Sequence, residues 1–359
     1  MNWKTTISDQ LEIDYPIIQA PMFGVGTPEM VAASNSVGAL GSLPLGDLSA
    51  AQCIEKIRAT KALTNRPFAA NIFVNAVPEV TIELESQYEN SRRYIETFAA
   101  AHNLHVKLPA FEEISITRYT DQVDALIEEK CRIVSFTFGN LDEENICKFK
   151  ENDTTLIGTC TSVAEAVALE KSGIDIICVQ GFEAGGHRGS FEAENIPEIG
   201  GFSLLPQVKA ICEKPIVYAG GIYNAQTLRA AQTLGAQAFQ VGSLLLCSAE
   251  SALMDFEKKR LLQAKPDEIV LSKNFSGRYA RGIRNTFIDF SEKASILPYP
   301  YQNKLTAALR KQAKEALNID FVSIWAGNSL PAFSTNSTSR ILLDLIFETD
   351  NFSELARAL

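Results

Sequence analysis

The 359-residue chain is poor in the residues that usually announce a function: it has three histidines, two tryptophans and four methionines. It has no apolar run near the roughly 20 residues that a membrane-spanning helix needs; the longest, "FQVGSLLLCSA", reads as a buried strand and its following turn. The opening "MNWKTTISDQLEIDY" lacks the apolar stretch of a secretory signal, so a cytoplasmic location is expected. Positive charge is in the minority, with 33 lysines and arginines against 43 acids and a net charge of -10. That balance argues against nucleic acid or an anionic membrane surface as the main partner. The seven cysteines form no C-x-x-C pair, so neither a disulfide framework nor a zinc site is expected. Cys160 and Cys178 lie in apolar runs, where a thiol behaves as a small hydrophobe.

What the chain does have is alternation. Apolar runs rich in Val, Ile, Leu and Phe recur at "YPIIQAPM", "GALGSLPL", "PFAANIFV", "RIVSFTFG", "TLIGTC", "IDIICVQG", "PIVYAGG" and "AFQVGSLLL", with helical patterns between them. Thr27 before Pro28 is one clear helix start. Uninterrupted apolar runs belong to parallel strands buried on both faces. Eight of them predict a (β/α)8 TIM barrel; a doubly wound open sheet is the alternative. After Leu246 the rhythm breaks. Residues 251–304 read as a small, mainly helical inserted subdomain covering the site, on a barrel made of 1–250 and 305–359.

In such a barrel, function gathers in the loops after the strands. "QAPMFGVGTPE" follows the first strand, where Pro21 and Met22 could lie against a ring system. Its Gly24-x-Gly26 is an incomplete dinucleotide fingerprint, because Glu29 stands where the third glycine belongs. Gly220 and Gly221 end the seventh strand, and Gly242 with Ser243 follow the eighth. Paired glycine turns there suit a phosphate, whose oxygens accept from bare backbone N–H groups; the alternative is that they only close tight turns. Gln180 ends the sixth strand, with an amide able to donate and accept at the edge of a heteroaromatic ring. Gly185 and Gly186 then clear space for His187, a candidate acid or base. His102 and His105 lack further ligands nearby and read as solvated. Arg278, Arg281 and Arg284 read either as a basic face for a carboxylate or as surface pairs with the many acids.

These segments together resemble class I nitronate monooxygenases, FMN-dependent TIM-barrel enzymes formerly called 2-nitropropane dioxygenases. The resemblance runs from "YPIIQAPM" through "AANIFV", "SFTFG", "LIGTCTSVAEA", "QGFEAGGHRGSF", "AGGI" and "GRYARGIRN" to "SIWAGN". It implies FMN bound by Asn71, Gln180, Gly185, Gly186, Gly220, Gly221 and the turn Gln240, Val241, Gly242, Ser243, with Ala20, Pro21 and Met22 along the flavin. It implies His187 as the catalytic residue and Tyr299 and Lys304 at the substrate. The implied reaction is oxidative denitrification of an alkyl nitronate or nitroalkane by molecular oxygen, propionate 3-nitronate being the favoured substrate and detoxification the role. A monomer or homodimer is expected. The chain departs from the family at Tyr223, Asn224 and Ala225 after "AGGI", at Ser243 in place of threonine, and at Asn328 in place of glutamine. Rival expectations are an FMN-dependent, NAD(P)H-linked reductase of enoyl thioesters or quinones, and a flavin-binding barrel without catalysis.

Overall fold

The computed structural model describes residues 1–290, 296–330 and 333–352. Its strands are β1 (Ile17–Gln19), β2 (Ser42–Gly46), β3 (Ala69–Phe73), β4 (Ile133–Thr137), β5 (Thr155–Cys160), β6 (Ile176–Gln180), β7 (Gly186–His187), β8 (Ile216–Ala219), β9 (Ala238–Val241), β10 (Ile269–Ser272) and β11 (Ala280–Ile283). The eight apolar runs supply the eight strands of one sheet, ordered β1-β9-β8-β6-β5-β4-β3-β2, with every pair parallel. Helices fill the connections, and a parallel bridge from Ile18 to Leu40 brings the two ends of the sheet together. This is a (β/α)8 barrel; the open doubly wound sheet is excluded.

The seam between β1 and β2 has its own fastening. Gln19 is fully buried there. Its Nε2 donates to Ser42 O and Ala20 O, each at 3.0 Å, while Oε1 accepts from Ser42 N at 3.2 Å. A side-chain amide offers the same donor and acceptor pair as a peptide group, so it can stand in for a missing ladder rung. Helix starts follow the sequence. Thr27 accepts from Met30 N at 3.1 Å ahead of Pro28–Ser36, and Asn224 accepts from Thr227 N at 2.9 Å ahead of Ala225–Thr233. Asparagine is a strong N-cap, so the departure at Asn224 keeps a good helix start beside Gly220 and Gly221.

A second apolar core lies beside the main one, with Met22 packed against both. Residues of the 251–304 stretch such as Phe275, Ile283, Phe287 and Leu297 share it with Leu84, Tyr88 and Ile95 of helix Ile82–Ala101, and with Leu305, Leu309 and Phe321 later in the chain. Helix Thr338–Asp350 returns to the barrel, where Ile341, Leu342 and Leu345 join the main core. The seven cysteines are all free thiols, six of them buried. Burial pushes the Cys178 thiol up to about 12, consistent with a purely packing role.

Gln19→Ala leaves the Ser42 backbone pair without partners inside the barrel. A loss of about 1–3 kcal/mol is expected from unsatisfied buried groups, read as a lower urea midpoint at unchanged slope; an unchanged midpoint would mean that the seam holds without the amide.

Candidate active site

The glycine run that carries His187 becomes a strand at the edge of a small sheet. Gly186 and His187 form β7, which pairs antiparallel with β11 in the register Ala280↔His187 and Arg281↔Gly186. Strand β10 completes this small sheet, order β10-β11-β7. Gly185 must be glycine for a steric reason: a Cβ there would lie 2.4 Å from Gly327 N and 2.6 Å from Ala326 C. Backbone lies directly on backbone, and the loop is thereby clamped against the segment Trp325–Gly327.

This placement puts His187 in an aromatic box. Its ring centroid is 5.5 Å from Phe138, 5.7 Å from Trp325 and 6.5 Å from Phe73. Phe138 itself sits at φ +78, a rare conformation for a bulky residue and one that tends to mark functional sites. The only hydrogen bond of the imidazole among the described residues joins Nε2 to Ser276 Oγ at 2.8 Å. Burial, then the charges of Arg278 and Arg310, push its pKa from 6.5 down to about 3. His187 is therefore neutral at cellular pH.

Of the cations that do this, Arg278 is buried and Arg310 half-buried. The Arg278 guanidinium lies 4.4 Å from the Phe138 ring centroid and donates to the carbonyls of Ser190, Phe191 and Glu192. Arg310 donates through Nη2 to Asn303 O at 2.9 Å and Asn303 Oδ1 at 2.8 Å, and through Nε to Thr306 O at 3.3 Å. Burial lowers both guanidinium pKa values to about 10, so both stay charged at neutral pH. Tyr299 is 4% exposed, with its ring 5.6 Å from Phe138 and its hydroxyl without a hydrogen-bond partner among the described residues. A buried hydroxyl left unpaired is costly unless a ligand completes it. Lys304, beside this group, is held by Asp47 at 2.9 Å.

The phosphate-type features sit at the ends of β8 and β9. The N–H groups of Gly220, Gly221, Gly242 and Ser243 find no acceptor among the described residues. Gly220 and Gly221 have φ of +124 and +66, so their amides point where an ordinary strand end would not aim them. Ser243 Oγ accepts from Gly327 N at 3.0 Å, and Ser329 Oγ is 3.5 Å from the place a Cβ on Gly221 would occupy. A Cβ on Gly242 would lie 3.2 Å from that of Ala20 and 3.7 Å from Met22 Sδ, so the first and last strand ends meet here. These bare donors, and the space that the missing side chains leave, fit a phosphate.

Several expected residues also make contacts within the protein. Gln180 spends its amide inside the loop: Oε1 accepts from Arg188 Nη1 and Gly189 N, each at 2.9 Å, and Nε2 donates to His187 O at 3.1 Å. One Nε2 hydrogen remains for a ligand. Asn71 donates to Ser135 Oγ at 2.9 Å across β3 and β4, and Val241 points its side chain into the main core. Gln240 pairs with Ile18 in the register of β1 and β9, and Pro21 follows β1 at the same rim as Ala20. The three arginines do not share a face. Arg278 and Arg281 are buried, Arg281 donating to Phe182 O at 3.0 Å, and only Arg284 is a surface pair, with Asp289 at 2.6 Å. His102 caps its helix end and packs on Phe98 at 4.3 Å, while His105 is exposed. Sequence reasoning missed Phe138, Ser276, Arg310, Asp47, Gly327 and Ser329. Only the glycine of "WAGN" and the serine of "NFSGRY" carried any local signal.

Because the unfolded chain binds a proton on His187 below about pH 6.5 and the fold refuses it until about pH 3, the stability this neutral imidazole confers is complete above the first value and falls as the pH drops toward the second. Wild type is expected to lose more stability than His187→Asn between about pH 7.5 and pH 5, measured as paired urea midpoints. Equal losses would show that the imidazole protonates freely in the folded protein.

Among the described residues no helix is long and apolar enough to cross a membrane. The sequence model of the nitronate monooxygenase family matches residues 4–348. A probable nitronate monooxygenase of Staphylococcus aureus (strain JH9) is 35% identical over 347 residues, covering 96% of each chain. The crystal structure of nitroalkane oxidase from Streptomyces ansochromogenes superposes with a TM-score of 0.87 at 30% identity, covering 98% of this chain and all of that one. FabK from Thermotoga maritima shares the fold, with a TM-score of 0.75 at 24% identity over 99% of each chain. With its barrel, its glycine cradle and its half-buried histidine in place, the chain belongs to the nitronate monooxygenase family and is a flavin-dependent oxidoreductase.

Proposed function

We propose that this protein binds FMN at the barrel mouth and oxidatively denitrifies alkyl nitronates with molecular oxygen, propionate 3-nitronate foremost, as a detoxifying activity. The observation that carries this reading is the charge of the pocket. A neutral His187 sits among Arg278, Arg310 and the Lys304–Asp47 pair, so the charges acting on the imidazole are net positive. In a desolvated site such charge favours an anion strongly over its neutral conjugate acid. A nitronate is that anion; a nitroalkane is the conjugate acid.

The unbonded donors of Gly220, Gly221, Gly242 and Ser243 would hold the FMN phosphate, with Ala20, Pro21 and Met22 along the ring system. When bound, FMN supplies the electron acceptor, and the protein supplies position and field. Tyr299 offers its unpaired hydroxyl to a nitro oxygen. Phe73, Phe138 and Trp325 exclude water around His187. Arg278 and Arg310 disfavour the protonated imidazole, which makes His187 a weak base toward a neutral nitroalkane and supports the nitronate as the better substrate.

The test is oxygen uptake and nitrite release on mixing the yellow protein with propionate 3-nitronate, without pyridine nucleotide. Turnover is expected with the nitronate and much less with the nitroalkane. No oxygen uptake, together with NADPH oxidation by an enoyl thioester or quinone, would replace this reading with a reductase. His187→Asn is expected to abolish nitroalkane turnover, a loss of at least about 100-fold, with FMN still bound. Gly221→Ala meets a backbone at φ +66 and is expected to lower the flavin-to-protein absorbance ratio; a full flavin complement in that variant would move the phosphate elsewhere.

A further inference from the structure

We propose that Ser276 is a positioning residue that holds His187 in its Nε2–H form, leaving Nδ1 as the one ring nitrogen that can take a proton from substrate. The proposal rests on the reading of this site as one that handles nitro compounds, and it decides whether the histidine acts there as a base or as a clamp for the nitro oxygens.

The argument is a count of hydrogens. Ser276 is 1% exposed. Its Oγ lies 2.8 Å from His187 Nε2, 3.0 Å from Arg278 O and 3.3 Å from Arg278 N. A hydroxyl has one hydrogen and two lone pairs. If the hydrogen goes to Arg278 O, the lone pairs accept from Arg278 N–H and from His187 Nε2–H, and every group around the serine is satisfied. If instead the hydroxyl donates to Nε2, the Arg278 carbonyl loses the one donor the described residues offer it. The imidazole hydrogen then moves to Nδ1, where no acceptor stands among the described residues. The first arrangement leaves one uncommitted acceptor, Nδ1. The second leaves the carbonyl of the buried Arg278 unpaired and turns the ring hydrogen toward no acceptor among the described residues, and buried carbonyls are rarely left so. Burial and the neighbouring guanidiniums keep the ring neutral, so one of these two tautomers describes it at cellular pH.

The serine is tied to its task by register. Ser276 N and Gly277 N both donate to Lys273 O, at 3.2 and 2.7 Å, which fixes the turn. Four residues on, Ala280 pairs with His187 itself. One short loop therefore carries both the hydroxyl that orients the imidazole and the Arg278 guanidinium that keeps it neutral.

The chemical consequence follows directly. A neutral imidazole with Nε2–H on Ser276 has only a lone pair to offer at Nδ1, so it cannot donate to a nitronate oxygen. It can accept. With a nitroalkane, the α-carbon–hydrogen bond breaks, the proton passes to Nδ1, and the bonding pair stays on carbon and spreads into the nitro group. The product pair is a nitronate and an imidazolium still bonded to Ser276, and this step needs no oxidant.

The test is nitrogen-15 NMR of the flavin-loaded protein grown with labelled histidine. Only three histidines contribute signals, and His187 is identified by its loss in His187→Asn. A hydrogen-bearing Nε2 and a bare Nδ1 on His187 at neutral pH are expected. An Nδ1–H signal in wild type would overturn the proposal without any variant having to fold. Ser276→Ala should give a mixed tautomer and lower kcat for nitroalkane about tenfold at similar KM, while Ser276→Thr, which keeps a hydroxyl, should recover the Nε2–H form. A pure Nε2–H signal in Ser276→Ala would remove the serine from the assignment. The NMR readout needs no substrate, so a protein that fails to turn over nitronates would refute the function and leave the tautomer to be judged separately.

Discussion

Two residues of antiparallel pairing hold the site together. Gly186 and His187 leave the barrel as part of a glycine-rich loop, and such a loop alone would carry the histidine through many conformations. Their pairing with Ala280 and Arg281 ends that freedom. The same rungs bring Ser276 to the imidazole and Arg278 to the Phe138 ring, and Gly185 is pressed onto the backbone of Ala326 and Gly327. Through Gly327 and Ser243 the clamp extends to the glycine turns at β8 and β9. The histidine and the phosphate-type cradle are thus two ends of one rigid contact path.

The electrostatics of this mouth run against those of the molecule. The chain carries a net charge of -10, yet Arg188, Arg278 and Arg281 are almost fully buried on this side of the barrel. Their desolvation is offset by carbonyl oxygens: those of Gly181 and Gln180 for Arg188, of Ser190 to Glu192 for Arg278, and of Phe182 for Arg281. Carbonyl partners solvate a guanidinium without cancelling its charge, as a carboxylate would. The site therefore keeps a positive field inside an acidic protein. Glu183 opposes it beside Arg188 and Arg281, Glu165 opposes it beside Arg188 and Arg278, and Asp47 is spent on Lys304.

The barrel was legible because its signal is local. Each apolar run is long enough for one strand, its neighbours carry their own caps at Thr27, Ser49 and Ser162, and a parallel strand buried on both faces has no polar alternation to confuse the reading. The glycine turns at Gly220 and Gly242 were legible for the same reason. The arginines were not. Arg278, Arg281 and Arg284 are evenly spaced, but their burial is set by β11 pairing on one edge and by Phe138 and Phe182 from distant strand ends, none of which the spacing contains. Gln180 reads from the sequence as a ligand for a ring; in the fold it also braces its own loop, because Arg188 folds back onto it within the same motif, and one Nε2 hydrogen is left over.

The sequence by itself determined the eight barrel strands and their order along the chain, the helix start at Thr27, the family and the loop in which the histidine stands. These depend on residue types at short range and on periodicity. Only the tertiary structure decided that the histidine lies in a sheet, that a serine 89 residues away is its partner, and that the guanidiniums of Arg278 and Arg310 disfavour its protonated form. Those facts depend on which distant segments share a few ångströms of space, and desolvation, which sets their strength, exists only once the chain has closed over them.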